Sequence, residues 1–388
     1  MTVDHVSSIN MSRVLQMLYT HGQICRPDIS AALKMDRSTV SKMVSVLADR
    51  SLIQLLDKGD STPRGGRKPV YLELNHHIGY VIGVELQTDY WVAVMVNLRG
   101  EVLHAITGEL PPESSIQYTV EQIATAIQRY IQSMESLLLG MVVSVPGIVN
   151  PSRGEILRSN PLNIDQPINI TTILSERFGV PVLVENDAKS CCWAELFRRR
   201  NATVDNFLCV LMEFRRTRMA GAQLKGIGVG LGIVIDGRVH YGPNYSAGEF
   251  QSVFCKSPHS TQFSISDADA QRISEDREIF ERAFRELSVN VSLLINVFNL
   301  SEVVVVGDML GKENTYGAIL QQAIQENWPH DTPATCSVTF TGLGHDTVAF
   351  GAACMFIQRL FSVPRYDAQR ENHMCGIDLL NTVYPVLG

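Results

Sequence analysis

The chain has 388 residues, 45% of them hydrophobic, with 33 Lys and Arg against 40 Asp and Glu for a net charge of −7. That length and apolar content suffice for two or three domains with a large core, and the acidic balance excludes a protein that coats nucleic acid with its whole surface. The charge is uneven, since residues 1–75 carry ten Lys and Arg against seven Asp and Glu, a head of +3 on a body of −10, as suits a DNA-binding head on a body with another task.

Residues 1–9 read as disordered. Asn10 is a good N-cap for a helix whose apolar face is Val14, Leu15, Leu18 and Tyr19 and which ends at Gly22. Two short amphipathic helices follow within Asp28–Ile53. Ile29, Ala32 and Leu33 stripe the first. Asp36 caps the second, whose apolar residues Val40, Met43, Val44 and Leu47 recur at i, i+3, i+4 and i+7. That stripe leaves Arg37, Ser38, Thr39, Ser41, Lys42 and Ser45 outside, near the helix N-terminus. A recognition helix uses that end in the major groove, where hydroxyls and a cation reach phosphates and base edges.

Strands at Leu52–Leu56 and Val70–Leu74 flank DKGDSTPRGGRKP, a hairpin whose tip holds Arg64, Gly65, Gly66, Arg67 and Lys68. Glycine lets such a backbone flatten into a narrow minor groove while arginine meets its negative potential. A helical hairpin with a polar face explains the two helices alone nearly as well. The basic hairpin directly after them makes residues 1–75 read as a winged helix-turn-helix DNA-binding domain. The connection at 75–78 is very short, so the head should be held close to the body.

In the body, Tyr80–Glu85, Tyr90–Asn97 and Glu101–Thr107 read as an antiparallel meander. Ser115–Met134 is helical, Leu138–Ser144 a buried strand, Ile170–Phe178 helical, Val182–Glu185 a strand, and Asp187–Arg198 and Arg277–Phe298 helical. Strands alternating with helices define an α/β body, and no sequence repeat is apparent. The eight cysteines form no CxxC pair and Cys191–Cys192 are adjacent, a pattern of buried thiols in a reducing cytoplasm. No charged segment leading into an apolar run opens the chain. The longest apolar run, Leu137–Val149, is too short to span a bilayer and contains Pro146. A soluble cytoplasmic protein without a membrane partner is expected.

Several motifs then fall in a definite order: GVELQTDYWVAVMVNLRGEVL from Gly83, VVSVPGIVNPSRGEI from Val142, PVLVENDAKSCCWAEL from Pro181, GIGVGLGIVIDGRVHYG from Gly226, AGEF from Ala247, VVVVGDML from Val303 and TGLGHDTVAFGAA from Thr341. This order resembles the ROK family of repressors, open reading frames and sugar kinases, over nearly the whole chain. The resemblance implies an actin-like, sugar-kinase-like body of two lobes, each with a five-stranded sheet, around a central cleft. The first lobe would span 76–188 and the second 189–388, with the C-terminal tail returning to the first.

By the same resemblance Asp187 matches the family's catalytic base, and Asn186 and Glu249 match ligands of sugar hydroxyls; the plainer alternative is helix capping for Asn186 and Asp187 and loop solvation for Glu249. The first phosphate loop, Asp-Ile-Gly-Gly-Thr in the kinases, is Glu85-Leu86-Gln87-Thr88-Asp89 here. Side chains replace its glycines and Asp89 opposes phosphate. The second loop's Gly-Thr-Gly is Gly226-Ile227-Gly228. ATP turnover is not expected. The histidine after the family's Glu-x-Gly is absent, and only Cys255 and His259 remain of its cysteine cluster, too few for a closed tetrahedral site. No metal or other cofactor is expected. An insertion, FRRTRMAGAQLK, carries Arg215, Arg216, Arg218 and Lys225; it reads first as a solvated loop and alternatively as an anion clamp for a phosphorylated effector.

The expected function is a ligand-responsive repressor of carbohydrate uptake or metabolism genes, with a degenerate kinase cleft as effector site for a sugar or sugar phosphate. A homodimer or dimer of dimers would place two heads on a pseudo-palindromic double-stranded operator. The rivals are a sugar kinase with an accessory DNA-binding head and a regulator whose input is a protein docking on the body.

Overall fold

The structure, a computed structural model, describes residues 3–58, 69–111, 114–132, 134–202, 206–214, 226–256, 261–309, 313–341 and 344–363. The chain begins with α1 (Val3–His21), β1 (Ile24–Cys25), α2 (Arg26–Leu33), α3 (Arg37–Asp49), β2 (Ile53–Lys58) and β3 (Val70–Leu74). The strands form a small sheet in the order β1-β3-β2, and this N-terminal region fits a winged helix-turn-helix. α1 starts well before Asn10, so Asn10 is not a cap and residues 3–9 are helical. No Gly or Pro interrupts Val3–Ile9, and an interior Asn costs a helix only a fraction of a kcal/mol, roughly 0.7 at most.

Gly22 ends α1 in the left-handed conformation, φ 72°, its N–H bonded to the Leu18 carbonyl at 2.9 Å. Asp36 precedes α3 with extended backbone, yet its side chain makes no capping hydrogen bond. The α3 stripe of Val40, Met43, Val44 and Leu47 is buried, and so is Ile29 of α2. Ala32 is exposed and Leu33 half-buried, so the α2 stripe is narrower than its spacing implies.

The first lobe is built from β4 (Gly79–Leu86), β5 (Tyr90–Asn97), β6 (Val102–Glu109), α4 (Ile116–Ile131), β7 (Leu137–Val145), a minor sheet of β8 (Ile148–Asn150), β9 (Glu155–Arg158) and β10 (Ile168–Asn169), then α5 (Thr171–Phe178) and β11 (Val182–Asn186). Its main sheet runs β6-β5-β4-β7-β11, antiparallel across the meander and parallel from β4 to β11. α6 (Asp187–Arg198) leads to the second lobe: β12 (Phe207–Phe214), β13 (Ile227–Ile235), β14 (Arg238–Val239), α7 (Asp267–Arg272), α8 (Arg277–Phe298), β15 (Glu302–Gly307), α9 (Glu313–Glu326) and β16 (Ser337–Phe340); the last helix, α10 (Thr347–Leu360), returns to pack on α6 and on the first-lobe sheet. The second lobe's sheet, β14-β13-β12-β15-β16, repeats the order and strand directions of the first. The architecture is duplicated although no sequence repeat announces it.

Small residues bring α6, α10 and the sheets together. A Cβ on Gly351 of α10 would lie 1.9 Å from the Ser190 carbonyl of α6, and one on Gly83 of β4 would lie 1.8 Å from the Ala349 carbonyl of α10. On the other side of α6, a Cβ on Gly232 of β13 would sit 2.2 Å from Cys192 Sγ. These glycines permit backbone approach that any side chain would block. Cys191 and Cys192 are fully buried free thiols that fill this space as small apolar groups.

The core of the head continues into the body through one apolar cluster that joins Val14, Leu15 and Leu18 to Phe197, Phe350 and Phe361. The Tyr19 ring stacks on Phe361 at 5.2 Å and lies 6.1 Å from Phe197. The Arg200 guanidinium covers Phe197 at 4.2 Å and donates to the Arg99 carbonyl at 3.3 Å. Glu73 of β3 also accepts from Arg99 of the body at 3.5 Å. The short connection at 75–78 therefore ends in a packed joint.

Candidate functional site

A cleft of about 1240 Å³ lies between the lobes. The first lobe lines it with residues 87–90, 146–148 and 160–164, the second with 228–230, 248–251 and 306–308, and the first turn of α6 forms part of its wall. Asn186 caps α6: its Oδ1 accepts the Lys189 N–H at 3.0 Å, while its amide hydrogens go to the Gly147 carbonyl at 3.0 Å and to Asp187 Oδ1 at 2.8 Å. Asp187 Oδ1 also accepts the Ala188 N–H at 2.8 Å. Both amide hydrogens of Asn186 are thus spent inside the protein. It holds Asp187 in place, and Asp187 Oδ2 is left for the cleft.

Glu249 reaches the same wall on a separate loop. Leu231 of β13 donates its N–H to the Gly248 carbonyl at 3.0 Å, and Gly230 pairs with Glu249 in an isolated antiparallel bridge. Gly248 has φ 93°, and a Cβ there would meet the Leu231 carbonyl at 1.8 Å, so the loop needs glycine twice over. Gln262 straps the loop to β13: its Oε1 accepts the Val229 N–H at 2.8 Å, and its Nε2 donates to the carbonyls of Val229 at 2.7 Å and Phe250 at 2.8 Å. Asn290 of α8 holds the next turn, accepting the Val253 N–H at 3.0 Å and donating to Ser252 Oγ at 3.2 Å. Side-chain amides secure this loop. Among the described residues no group of three or more His, Cys, Asp or Glu is placed to hold a metal.

Burial raises the Asp187 carboxyl to about 6, nearby Glu249 adds to the rise, and the Ala188 N–H and Lys189 oppose it. Glu249 is open to cleft water but flanked by protein, and desolvation raises its carboxyl too, with Lys189 opposing. Lys189 is only 2% exposed yet lines the cleft. Its Nζ donates to the Tyr245 carbonyl at 3.3 Å and lies 5.8 Å from the centre of the Tyr241 ring.

The end of the cleft that the resemblance assigns to nucleotide phosphates is acidic. Gln87 donates to Glu85 Oε1 at 3.2 Å and across the lobes to Glu213 Oε2 at 3.0 Å, and Tyr90 donates to Glu85 at 2.9 Å. Burial pushes Glu85 up to about 7 and Glu213 well above the usual carboxylate range. Glu213 faces Gly228 in the β12–β13 ladder, and Asp89 and Asp308 line the same cleft. A triphosphate there would meet Asp89 and Asp308 where it needs cations or glycine N–H groups.

On the head, Arg37, Ser38, Ser41, Lys42 and Ser45 of α3 are exposed and Thr39 is half-buried, so these side chains share one polar face. Arg64, Gly65, Gly66, Arg67 and Lys68 lie outside the described residues, as do Arg215, Arg216 and Arg218. The structure brings Asp187 and Glu249 together and places the wing strands beside α3. Lys189, Gln262, Asn290 and the Glu85–Glu213 pair were not singled out from sequence. Lys189 directly follows the Glu-Asn-Asp-Ala motif, a signal that reads simply as a helix residue. Gln262 and Asn290 carry no local pattern at all.

The ROK family model matches residues 81–251. The xylose repressor of Staphylococcus xylosus is 30% identical over 245 residues, 62% of this chain and 59% of that one. The DNA-binding transcriptional dual regulator NagC of Escherichia coli K12 is 24% identical over 351 residues, 79% of this chain and 82% of its own. The chain spans under two thirds of the length of the first xylose repressors it matches. Among solved structures, a ROK family transcriptional regulator described as a homologue of the E. coli MLC protein superposes with a TM-score of 0.72 over 98% of this chain and 100% of its own, at 20% identity. A ROK hexokinase from Thermus thermophilus gives 0.54 over 71% of this chain and 97% of its own, also at 20% identity.

Proposed function

The chain carries a ROK family domain across residues 81–251, and on that premise we propose that it is a sugar-responsive transcriptional repressor whose lobed body controls a DNA-binding head. The observation that carries this reading is the course of α6. The helix opens at the cleft with Asp187 and closes at the head with Phe197 against Tyr19, and Arg200, just past its end, covers both rings. A ligand held by Asp187 and Glu249 pulls on one end of a rigid helix whose other end is packed into the head. Lobe closure then shifts the head, and a ligand that prefers the closed form shifts the population of DNA-competent protein. The regulators named among the relatives, for xylose and in NagC, fit this reading, as does the superposition on a complete regulator.

In this reading α3 enters the major groove and the basic hairpin reaches the minor groove of an operator bound by a symmetric dimer. The hexokinase likeness belongs to the fold. Asp89 and Asp308 line the end where nucleotide phosphate would sit and oppose its charge, so the cleft acts as a receptor without turnover. Selection of bound duplexes from random DNA, followed by a salt series on the recovered operator, tests the head. Lys42→Ala and Arg37→Ala are each expected to lower the log–log salt slope by about one unit. Slopes and affinities equal to wild type in both variants would remove α3 from the interface.

A further inference from the structure

Lys189 occupies a position that packing alone does not explain. Its side chain sits 2% exposed in the cleft wall, on the turn of α6 that also presents Asp187. Among the described residues its ammonium forms no ion pair, and its one hydrogen bond, to the Tyr245 carbonyl, is 3.3 Å long. Desolvating an ammonium is costly unless acceptors surround it, and an ammonium has three hydrogens to give. Two of them have no protein acceptor among the described residues.

Its neighbours supply the complementary pattern. Asp187 Oδ2 and the Glu249 carboxylate accept and do not donate. Asn186, which a sugar site would use as a donor, has spent both amide hydrogens on Gly147 and Asp187. Lys189 is thus the free donor of this wall among Asn186, Asp187, Lys189 and Glu249. A ligand here must give hydrogens to two carboxylates and offer an oxygen lone pair to an ammonium on the same wall. Adjacent hydroxyls do both, because each donates once and accepts as well. A sugar acid or sugar phosphate keeps hydroxyls that can donate, but its anionic group would bring like charge toward two acids with one ammonium as partner.

We propose that Lys189 is a specificity-determining residue that donates to a hydroxyl oxygen of an uncharged sugar, whose neighbouring hydroxyl hydrogens go to Asp187 and Glu249. The effector is accordingly a neutral sugar, not a sugar acid or a sugar phosphate. This rests on the reading of the cleft as the effector site and names the ligand class for it.

The test is calorimetric titration of the full chain with D-xylose, D-glucose and N-acetyl-D-glucosamine, and with D-xylonate, D-glucuronate and glucose 6-phosphate as charged counterparts. At least one neutral sugar should bind wild type, with its charged counterpart weaker by tenfold or more. Lys189→Met keeps the side-chain length and removes the donor. It should weaken the neutral sugar by roughly ten- to hundredfold, the scale of one charge-assisted hydrogen bond. Lys189→Gln, which keeps an N–H, should recover part of that loss. Melting curves of both variants establish that they are folded. Equal binding by wild type and Lys189→Met, or tighter binding of an anionic counterpart, overturns the role of Lys189 while leaving the cleft a sugar site. Failure of wild type to bind any neutral sugar overturns the sugar reading itself, and this assignment with it.

Discussion

Glu85 is 1% exposed, and its carboxyl stands near 7 because burial penalises its charge. A carboxyl whose folded pKa lies above its unfolded one lends its full stability below the unfolded value, near 4.5. That contribution is lost as pH rises through 7, because the folded state then has to give up a proton it holds more tightly. The rise corresponds to about 3 kcal/mol. Glu85→Gln keeps an acceptor for Tyr90 and Gln87 and removes the charge. Its melting temperature should exceed that of wild type at pH 8 and converge on it at pH 5. A gap that is constant with pH would show that Glu85 does not titrate in this range.

Glu249→Gln tests the cleft directly. It should weaken effector binding about tenfold or more, since a charged acceptor becomes a neutral one worth roughly 1.5–3 kcal/mol less at most. Operator affinity without effector should not change. An unaltered effector response would take Glu249 out of the site. That Asp187 and Glu249 share a cleft wall follows from motifs visible in sequence, because helix start and loop glycine are local features. Lys189 was not legible there, because its meaning depends on Tyr241 and Tyr245, which the fold brings from another element.

Among the elements, α8 spans Arg277–Phe298 as its sequence implies, and α3 (Arg37–Asp49) begins directly after Asp36, where its cap signal places the start. Both are long, amphipathic and bounded by clear start signals. The start of α1 was illegible because a plausible cap, Asn10, sits inside a stretch with nothing to break a helix. The contact of α6 with α10 was hidden as well, since GAA in α10 is ordinary helix composition until Ser190 is known to face it. Gly351→Val would force that crossing apart. Overpacking of this kind costs typically about 1–3 kcal/mol, and calorimetric melting should show the loss. A variant as stable as wild type would mean that the two helices do not approach as closely as described.

The far end of α6 calls for a gentler change. Arg200 lies over the rings of Phe197 and Tyr19 at 4.2 and 5.8 Å, and such exposed cation–π contacts are worth about 0.5–1 kcal/mol each. Arg200→Ala should leave effector affinity near wild type and shrink the effect of effector on operator binding. Intact coupling in this variant would move the signal to another route.

At the scale of the molecule, the sequence order of motifs conveyed the two-lobed body, while the matching strand order of the two sheets escaped notice because packing on opposite lobes leaves different side chains on equivalent strands. The joint between head and body is likewise a property of the whole. Tyr19, Phe197 and Phe361 are far apart in sequence, and no single stretch shows that they meet. In the proposed function that joint sets the cleft, α6 and the head in mechanical series, and operator affinity is then expected to depend on what the cleft holds.

The most direct measurement of that claim is fluorescence anisotropy of an operator duplex selected by the protein itself, titrated at fixed salt with and without a neutral sugar that calorimetry has shown to bind. For wild type the sugar should weaken operator binding by tenfold or more, and for Asp187→Asn the same sugar concentration should leave it unchanged. Operator affinity that stays constant while the wild-type cleft is saturated with sugar would contradict the account.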